Sequence, residues 1–500
     1  MKKIVLVYLF IVIVGGIFHS CQDFLAEEPT DRLVVTNFYE TKGDAEAGLF
    51  AVYGELHDIY ERRIFLSSAL PADDMKNGRG MGNSQLQNLE YARHTSESSW
   101  VRGMWQRHYR AISKANTVIE SVPAIDMDEG DKARIIGEAK FLRALYYFNL
   151  VRWHGDIPLV TKVVTTLDEA KCPMSPEADV YALIIEDLEE AEQVLPVSYS
   201  DPNSNRATRG AAKILLGKVY LTLHEYQNCV DKLAEVINNE GSYGYGLHED
   251  FKDNWRIATE NQLEMVFTVE FMEDPGNGNV EMRLMGPRYA IVDPEGTLGL
   301  VKRGDEADIP TVDLWSQYSP EDERREATVT YNIPNVLDGS IHVATIPLIL
   351  KYWEDGETVN ANSDCNMHIL RYSDALLMYA EALNEVGQTS NAYQYLNRVR
   401  ERAFNSTDYN FSGLSEGQFR DAVLQERRLE LAIEGHRWFD LVRTGRLIET
   451  MKHHSQVEAD LAGEPIKLQI GQNIKDYMVR MPIPQVEIDV NPELTQNPGY

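Results

Sequence analysis

The chain has 500 residues, 43% of them hydrophobic and 25% charged, which is ordinary for a globular protein and long enough to bury a large core. Its formal charge of −30 repels phosphate backbones and argues against a nucleic-acid partner. The cysteines Cys21, Cys172, Cys229 and Cys365 form no CxxC pair and have no closely spaced histidines, so a disulfide framework or a structural zinc is not expected.

Residues 1–20 read as a leader. Lys2 and Lys3 precede an apolar run over 4–14 that is too short for a good spanning helix. Cys21 comes directly after the leader and resembles the lipidated cysteine of a bacterial lipoprotein, although Phe18 and His19 match the usual small-residue box loosely. An ordinary signal peptide cleaved nearby would instead leave Cys21 as a free thiol. The lack of an Ala-x-Ala site before it favours lipidation, and stable anchoring then takes more than one acyl chain. No second apolar run approaches spanning length, so the mature body is expected to be tethered to a membrane and otherwise soluble.

Helices dominate the chain beyond Cys21. Residues 45–60 are amphipathic, and 105–121 repeat the pattern through Trp105, Tyr109, Ile112, Asn116 and Ile119. Over 132–153 one stripe runs through Ile135, Ala139, Leu142, Tyr146, Leu150 and Trp153, with Gly155 and Pro158 to stop it. Trp105 and Trp153 therefore belong to the core. Further helices are expected over 179–194, 211–223 and 226–238, the last two forming a helix pair, and a second pair runs over 372–386 and 391–404. Such pairs look like tetratricopeptide (TPR) units without the Trp and Pro marks of that repeat, so they are TPR-like and not a regular array.

Two irregular blocks interrupt the helices. The longer, about 241–366, is rich in Gly, Pro, Asn and Asp, with β-type runs over 265–271 and 341–350; the shorter covers 71–99. Loops held by a rigid scaffold tend to carry binding residues. Aromatic platforms flanked by polar and charged side chains can hold a ligand there. Asp73, Asp74, Asn77, Arg79 and Tyr91 in the first block, with Arg288, Tyr289, Trp315 and Tyr318 in the second, are the candidates. Each aromatic could equally be a core plug beneath a loop, and Asp73-Asp74 a turn or helix-cap pair.

Near the far end, residues 425–446 combine an apolar spacing (Leu424, Leu431, Trp438, Leu441) with an i, i+4 acidic row of Glu426, Glu430 and Glu434. Arg427, Arg428, Arg437 and Arg443 lie close by in sequence, and a structural ion-pair cluster is expected from them. Gly435 should bend or end the first helical run before Trp438 and Phe439 dock. An acidic row facing a cleft could also serve acid/base chemistry, but no HExxH, GxSxG or ordered Ser/His/Asp set accompanies it, and no catalytic residue is assigned. His453-His454 lacks a third placed ligand and is read as solvent-facing. No cofactor is expected. Asp293, Glu295, Asp305 and Glu306 could collect a structural calcium, yet no EF-hand spacing exists.

Several stretches together resemble the SusD/RagB family of nutrient-binding outer-membrane lipoproteins. They are Lys140 through Phe148 with the sequel Gly155-Asp156-Ile157-Pro158, Arg371 through Ala382, Glu434-Gly435-His436-Arg437, and the tail from Ile483-Pro484 to Asn497-Pro498-Gly499-Tyr500. The resemblance implies a mainly α fold: a SusD-like helical scaffold with TPR-like pairs, over about 40–240 and 367–450, and a loop-rich insertion with short β elements over about 241–366. Residues 21–500 would then form a single domain. It further implies a non-catalytic, lipid-anchored protein facing the cell exterior, which captures oligosaccharide or polysaccharide for a TonB-dependent outer-membrane transporter of the SusC type. A peptide-binding member on the same scaffold is the alternative, and a hydrolase a more distant one. The matching stretches are scaffold motifs and specify no ligand.

Overall fold

A computed structural model describes residues 38–500, apart from 62, 80–81, 201–204, 273–277, 287–290, 293–299, 303, 335–339 and 354–362. The leader and Cys21 lie outside the described residues. The protein is mainly α-helical, with short two-stranded ladders. Among the described residues no helix is long and apolar enough to cross a membrane.

The first half is built from α1 (Lys42–Tyr53), α2 (Glu55–Tyr60), α3 (Ser99–Ser121), α4 (Glu129–His154), α5 (Glu177–Val194), α6 (Arg209–Thr222) and α7 (Tyr226–Ile237). Each agrees with an expected helix to within a few residues, except that 45–60 is split at Gly54 and α3 begins earlier, where the Ser98 hydroxyl accepts from the Val101 amide. Asp128 starts α4 by accepting the Asp131 amide at 3.0 Å. Helix α4 packs against both α3 and α5, which explains why its stripe widens into the fully buried run Phe141 to Leu145 and Tyr146, Tyr147 and Phe148. Arg143 ties the three together: its guanidinium donates twice to Asp187 on α5, at 2.8 Å each, and once to Asn116 on α3 at 2.9 Å. Trp105 and Trp153 are buried as expected, and truncating a core Trp to Ala costs about 3–5 kcal/mol.

Strands enter with β1 (Met75–Asn77), β2 (Met265–Val269), β3 (Asp308–Pro310), β4 (Val329–Pro334), β5 (Ile341–Ile349) and β6 (Met367–Arg371). The pairs β1–β3, β2–β6 and β4–β5 are all antiparallel. A small apolar cluster of Ile309, Ile333, Leu348 and Leu350 joins β3 to the β4–β5 hairpin. The short helix α8 (Val312–Gln317) comes after β3, and α9 (Tyr372–Glu385) continues from β6 without a gap. Helices α9 and α10 (Thr389–Phe404) form the second helix pair, packed on α7 of the first.

The chain closes with α11 (Glu416–Glu430), α12 (Arg437–Arg443), α13 (Leu447–Ala462) and α14 (Gln485–Val490). A capping box of Ser415 and Gln418 begins α11. It ends at Glu430, and the chain turns through Ile433 (φ 64°) and Gly435 (φ 80°) before α12, with Trp438 and Phe439 buried beneath. Glu434 thus lies in the turn, not on a continuous helix face.

Candidate functional site

The acidic row is paired, though not by the arginines beside it in sequence. Glu426 meets Arg324 and Arg400; Glu430 accepts from Arg324 at 3.0 Å, Arg371 at 2.9 Å and Arg402 at 2.6 Å; Glu434 meets Lys351 at 2.7 Å and both Nε and Nη2 of Arg371 at 2.9 Å. Arg427 bridges Asp374 and Asp440 instead, and Arg443 bridges Asp440 and Glu381. Residues on one helix turn cannot all face each other, so neighbours in sequence point their charges to different sides. With Glu430 0% and Glu426 1% exposed, these two carboxylates do not face solvent. Burial works against ionisation of Glu430, but the Arg402, Arg371 and Arg324 guanidiniums hold its carboxyl well below the usual range.

The remaining two arginines lead to the irregular blocks. Arg437 donates Nε and Nη2 to Asp73 at 2.7 and 2.8 Å, while Arg428 reaches Asp73 at 3.1 Å, Asp74 at 2.9 Å and Asp313 at 3.3 Å. Against the cost of burial, Arg428 and Arg437 hold the Asp73 carboxyl far below its ordinary value. Asp73 and Asp74 are therefore interior ion-pair partners, which removes their oxygens from a ligand surface. The Tyr318 side chain is likewise interior, its hydroxyl donating to the Leu429 carbonyl at 2.7 Å. Trp315 is half-buried; the Arg325 guanidinium covers one face at 4.2 Å and Tyr331 meets the ring edge-on at 5.1 Å. His453 is exposed as expected, but His454 is buried, with Nδ1 2.9 Å from Asp313.

The two loop blocks, far apart in sequence, are joined by the β1–β3 ladder. Met75 pairs with Pro310, Lys76 with Ile309 and Asn77 with Asp308. The Gly78 amide extends the ladder to the Ala307 carbonyl at 2.8 Å. Ala307 in turn donates to Leu284 at 2.7 Å, and Glu306 to Gly286 at 3.0 Å, so three backbones converge at one end. Glycine is required there: a Cβ on Gly78 would stand 2.0 Å from the Glu306 carbonyl oxygen, and one on Gly304 2.1 Å from the Gly286 carbonyl carbon.

This convergence forms a rim. Arg79 is exposed on it, with Arg283 and Asp305 3.5 Å apart and both partly exposed. Asn77 is half-buried and donates to Glu90, which also takes the Lys467 ammonium; the same ammonium reaches the Tyr91 hydroxyl at 3.3 Å. Asn77, Arg79 and Tyr91 thus gather at one end of the ladder. Arg288 and Tyr289, in the stretch just after Gly286, lie outside the described residues, as do Asp293 and Glu295. Among the described residues no group of three or more His, Cys, Asp or Glu is placed to hold a metal ion.

Sequence reasoning missed the bracing of this rim. Lys76 is buried and donates to Glu458 of α13 at 2.7 Å and to Glu464 at 3.1 Å. Glu458 also accepts the Val312 and Asp313 amides at 3.2 and 3.0 Å, an anion at the N-terminus of α8. One carboxylate thereby holds both sides of the ladder. No sequence spacing announces it, because Glu458 and its partners come from three separate stretches.

Comparisons with known proteins agree with this architecture. Residues 264–500 match the model of the SusD family, and residues 23–221 match a model described as starch-binding, associating with the outer membrane. A SusD-like protein of Formosa agariphila is 27% identical, aligned over 99% of this chain and 99% of its own length. One from Bacteroides ovatus is 26% identical over 87% of this chain and 81% of its own. Among solved structures, a laminarin-binding SusD-like protein has a TM-score of 0.75 at 28% identity, covering 92% of this chain and 100% of that one. A SusD homologue from Bacteroides thetaiotaomicron shares the fold with a TM-score of 0.80 at 23% identity, over 93% and 98%. With the helix pairs, the loop-rich insertion and the C-terminal tail all accounted for, the chain belongs to the SusD/RagB family.

Proposed function

We propose that this protein is a non-catalytic binder that captures oligosaccharide or polysaccharide at the cell surface and passes it to a TonB-dependent outer-membrane transporter of the SusC type. In this reading Cys21 carries the lipid that tethers the chain to the outer membrane, facing outward. The observation that carries it is the likeness, over the whole of that protein, to a structure named for laminarin binding. The rim fits the chemistry: an exposed Arg79, the polar pair Arg283 and Asp305 and the half-buried Tyr91 offer charge-assisted donors and acceptors beside an aromatic ring. Arg288 and Tyr289 remain ligand candidates on the adjoining stretch.

Isothermal titration of the soluble form beginning after Cys21 tests this, with laminarin as the first ligand and a glycan array beside it. Saturable binding is expected, weakened at least tenfold by Arg79→Ala or Tyr289→Ala with the melting temperature retained. No binding across the array, or binding to a peptide panel alone, would overturn the glycan reading; unchanged affinity in both variants would overturn the rim.

A further inference from the structure

A second concave surface shares no residue with the rim. Helix α3, the stretch 158–172 and the C-terminal segment from α14 onward enclose a groove of about 560 Å³. Its floor is Trp105, Tyr109 and Ile112, and its walls carry Val164, Leu167 and Val490. The groove is preformed: Gln106 on α3 donates to Glu487 on α14 at 2.8 Å, and Asn491 donates to the Cys172 carbonyl at 2.9 Å. Its lip holds large apolar side chains in water, with Leu167 86% exposed, Val490 65% and Val164 39%. A contiguous apolar patch of this kind marks an interaction surface.

The chemistry of the lip selects the occupant. The Tyr109 hydroxyl already donates to the Pro158 carbonyl at 2.8 Å, Gln106, Glu487 and Asn491 are engaged in the bonds that close the groove, and the rest of the lining is mainly apolar. Exposed acids flank the lining residues: Asp168 and Glu169 beside Leu167, and Asp489 and Glu493 beside Val490 and Leu494, against Lys162 and Lys171. An acidic lip on a chain of charge −30 disfavours an anionic lipid surface and attracts cations. Resting on the reading that this protein works beside a transporter, we infer that the groove receives a segment of that transporter which presents a bulky apolar side chain with lysine or arginine next to it.

The test uses full-length protein isolated from outer membranes in mild detergent, with the co-purifying TonB-dependent transporter quantified, and compares wild type with a Leu167→Asp/Val490→Asp double variant. Both side chains are exposed, so the variant should fold. At least tenfold less transporter is expected with the variant, while laminarin affinity stays unchanged. In parallel, Leu167→Cys should react readily with a maleimide in the isolated protein and become protected in membranes that contain the transporter. Equal transporter retention by variant and wild type overturns the groove assignment and leaves the partnership standing. Protection that persists in cells lacking the transporter points to lipid and also overturns it. Absence of any transporter with wild type overturns the partnership and the groove together, with glycan binding unaffected.

Discussion

Glu430→Gln isolates the contribution of the buried charge lattice. Five cations (Arg324, Lys351, Arg371, Arg400, Arg402) face five carboxylates (Asp322, Glu264, Glu426, Glu430, Glu434). The lattice is neutral, and glutamine leaves it with one uncompensated positive charge at almost unchanged volume. The substitution also turns an amide N–H₂ toward guanidiniums that can only donate. Breaking a buried pair by removing one partner costs about 3–5 kcal/mol. With an unfolding entropy of about 2 cal/mol/K per residue, a body of this size loses roughly 1 °C per kcal/mol, so Tm should fall by about 3–5 °C. Scanning calorimetry measures it, with Glu416→Gln as control, because Glu416 is exposed in the first turn of α11 and should change stability by no more than about 0.5 kcal/mol. Laminarin affinity at 25 °C should be unaltered. An unchanged Tm together with lost binding would refute the structural role and return the row to a ligand site.

The same geometry makes two further perturbations informative. Burial pushes the imidazoles of His94, His108 and His368 down to about 4 and that of His154 to about 3, so they stay neutral in the folded state while the unfolded chain takes up protons below about 6.5. Their contribution is present above pH 6.5 and lost as pH falls toward 4. Against the cost of burial, Arg371 and Lys351 hold the Glu434 carboxyl down at about 2, which extends the loss from about pH 4.5 to 2. Tm should therefore decline steadily between pH 7 and 3, and a flat profile from pH 7 to 4.5 would contradict the burial of those histidines. Gly78→Ala forces a Cβ against the Glu306 carbonyl and should cost about 1–3 kcal/mol by overpacking. Faster hydrogen exchange at the Ala307 amide is the readout, and unaltered exchange would show that the backbones do not meet there.

Periodicity made most of the helices legible, because a helix that buries one face leaves the other in water, while Arg209–Thr222 and Tyr372–Glu385 are buried nearly all round. Trp105 and Trp153 could be assigned to the core for the same reason. The strand expected over 341–350 appears as Ile341–Ile349, but its pairing with Val329–Pro334 could not be foreseen, since register depends on a partner outside the window. Charges were legible only as a population. That Glu426, Glu430 and Glu434 would be paired could be read from the local density of opposite charge. That Arg324, Lys351, Arg371, Arg400 and Arg402 would supply the pairing could not, because those residues come from other elements that packing brings to the same place.

Asp73 and Asp74 show how the misassigned residues still bear on binding. They suit a ligand rim by residue type, and they lie beside the β1–β3 ladder, yet Arg428 and Arg437 take their oxygens inward. The Asp73 carbonyl also accepts the Thr311 hydroxyl and the Asp74 carbonyl the Thr311 amide, which fastens the start of β1 to the end of β3. Three residues further on, Lys76 is anchored to Glu458, and then Gly78 admits the Glu306 backbone. Every residue from 73 to 78 that could have served a ligand with its charge serves the ladder instead, and the first side chain free to face solvent is Arg79. Under the proposed glycan reading, a rim fixed in this way would lose little conformational freedom on binding, and its affinity would owe more to preorganisation than to the number of contacts. The ion pairs that look like a ligand set in the sequence are what make a short, glycine-containing turn stiff enough to present one.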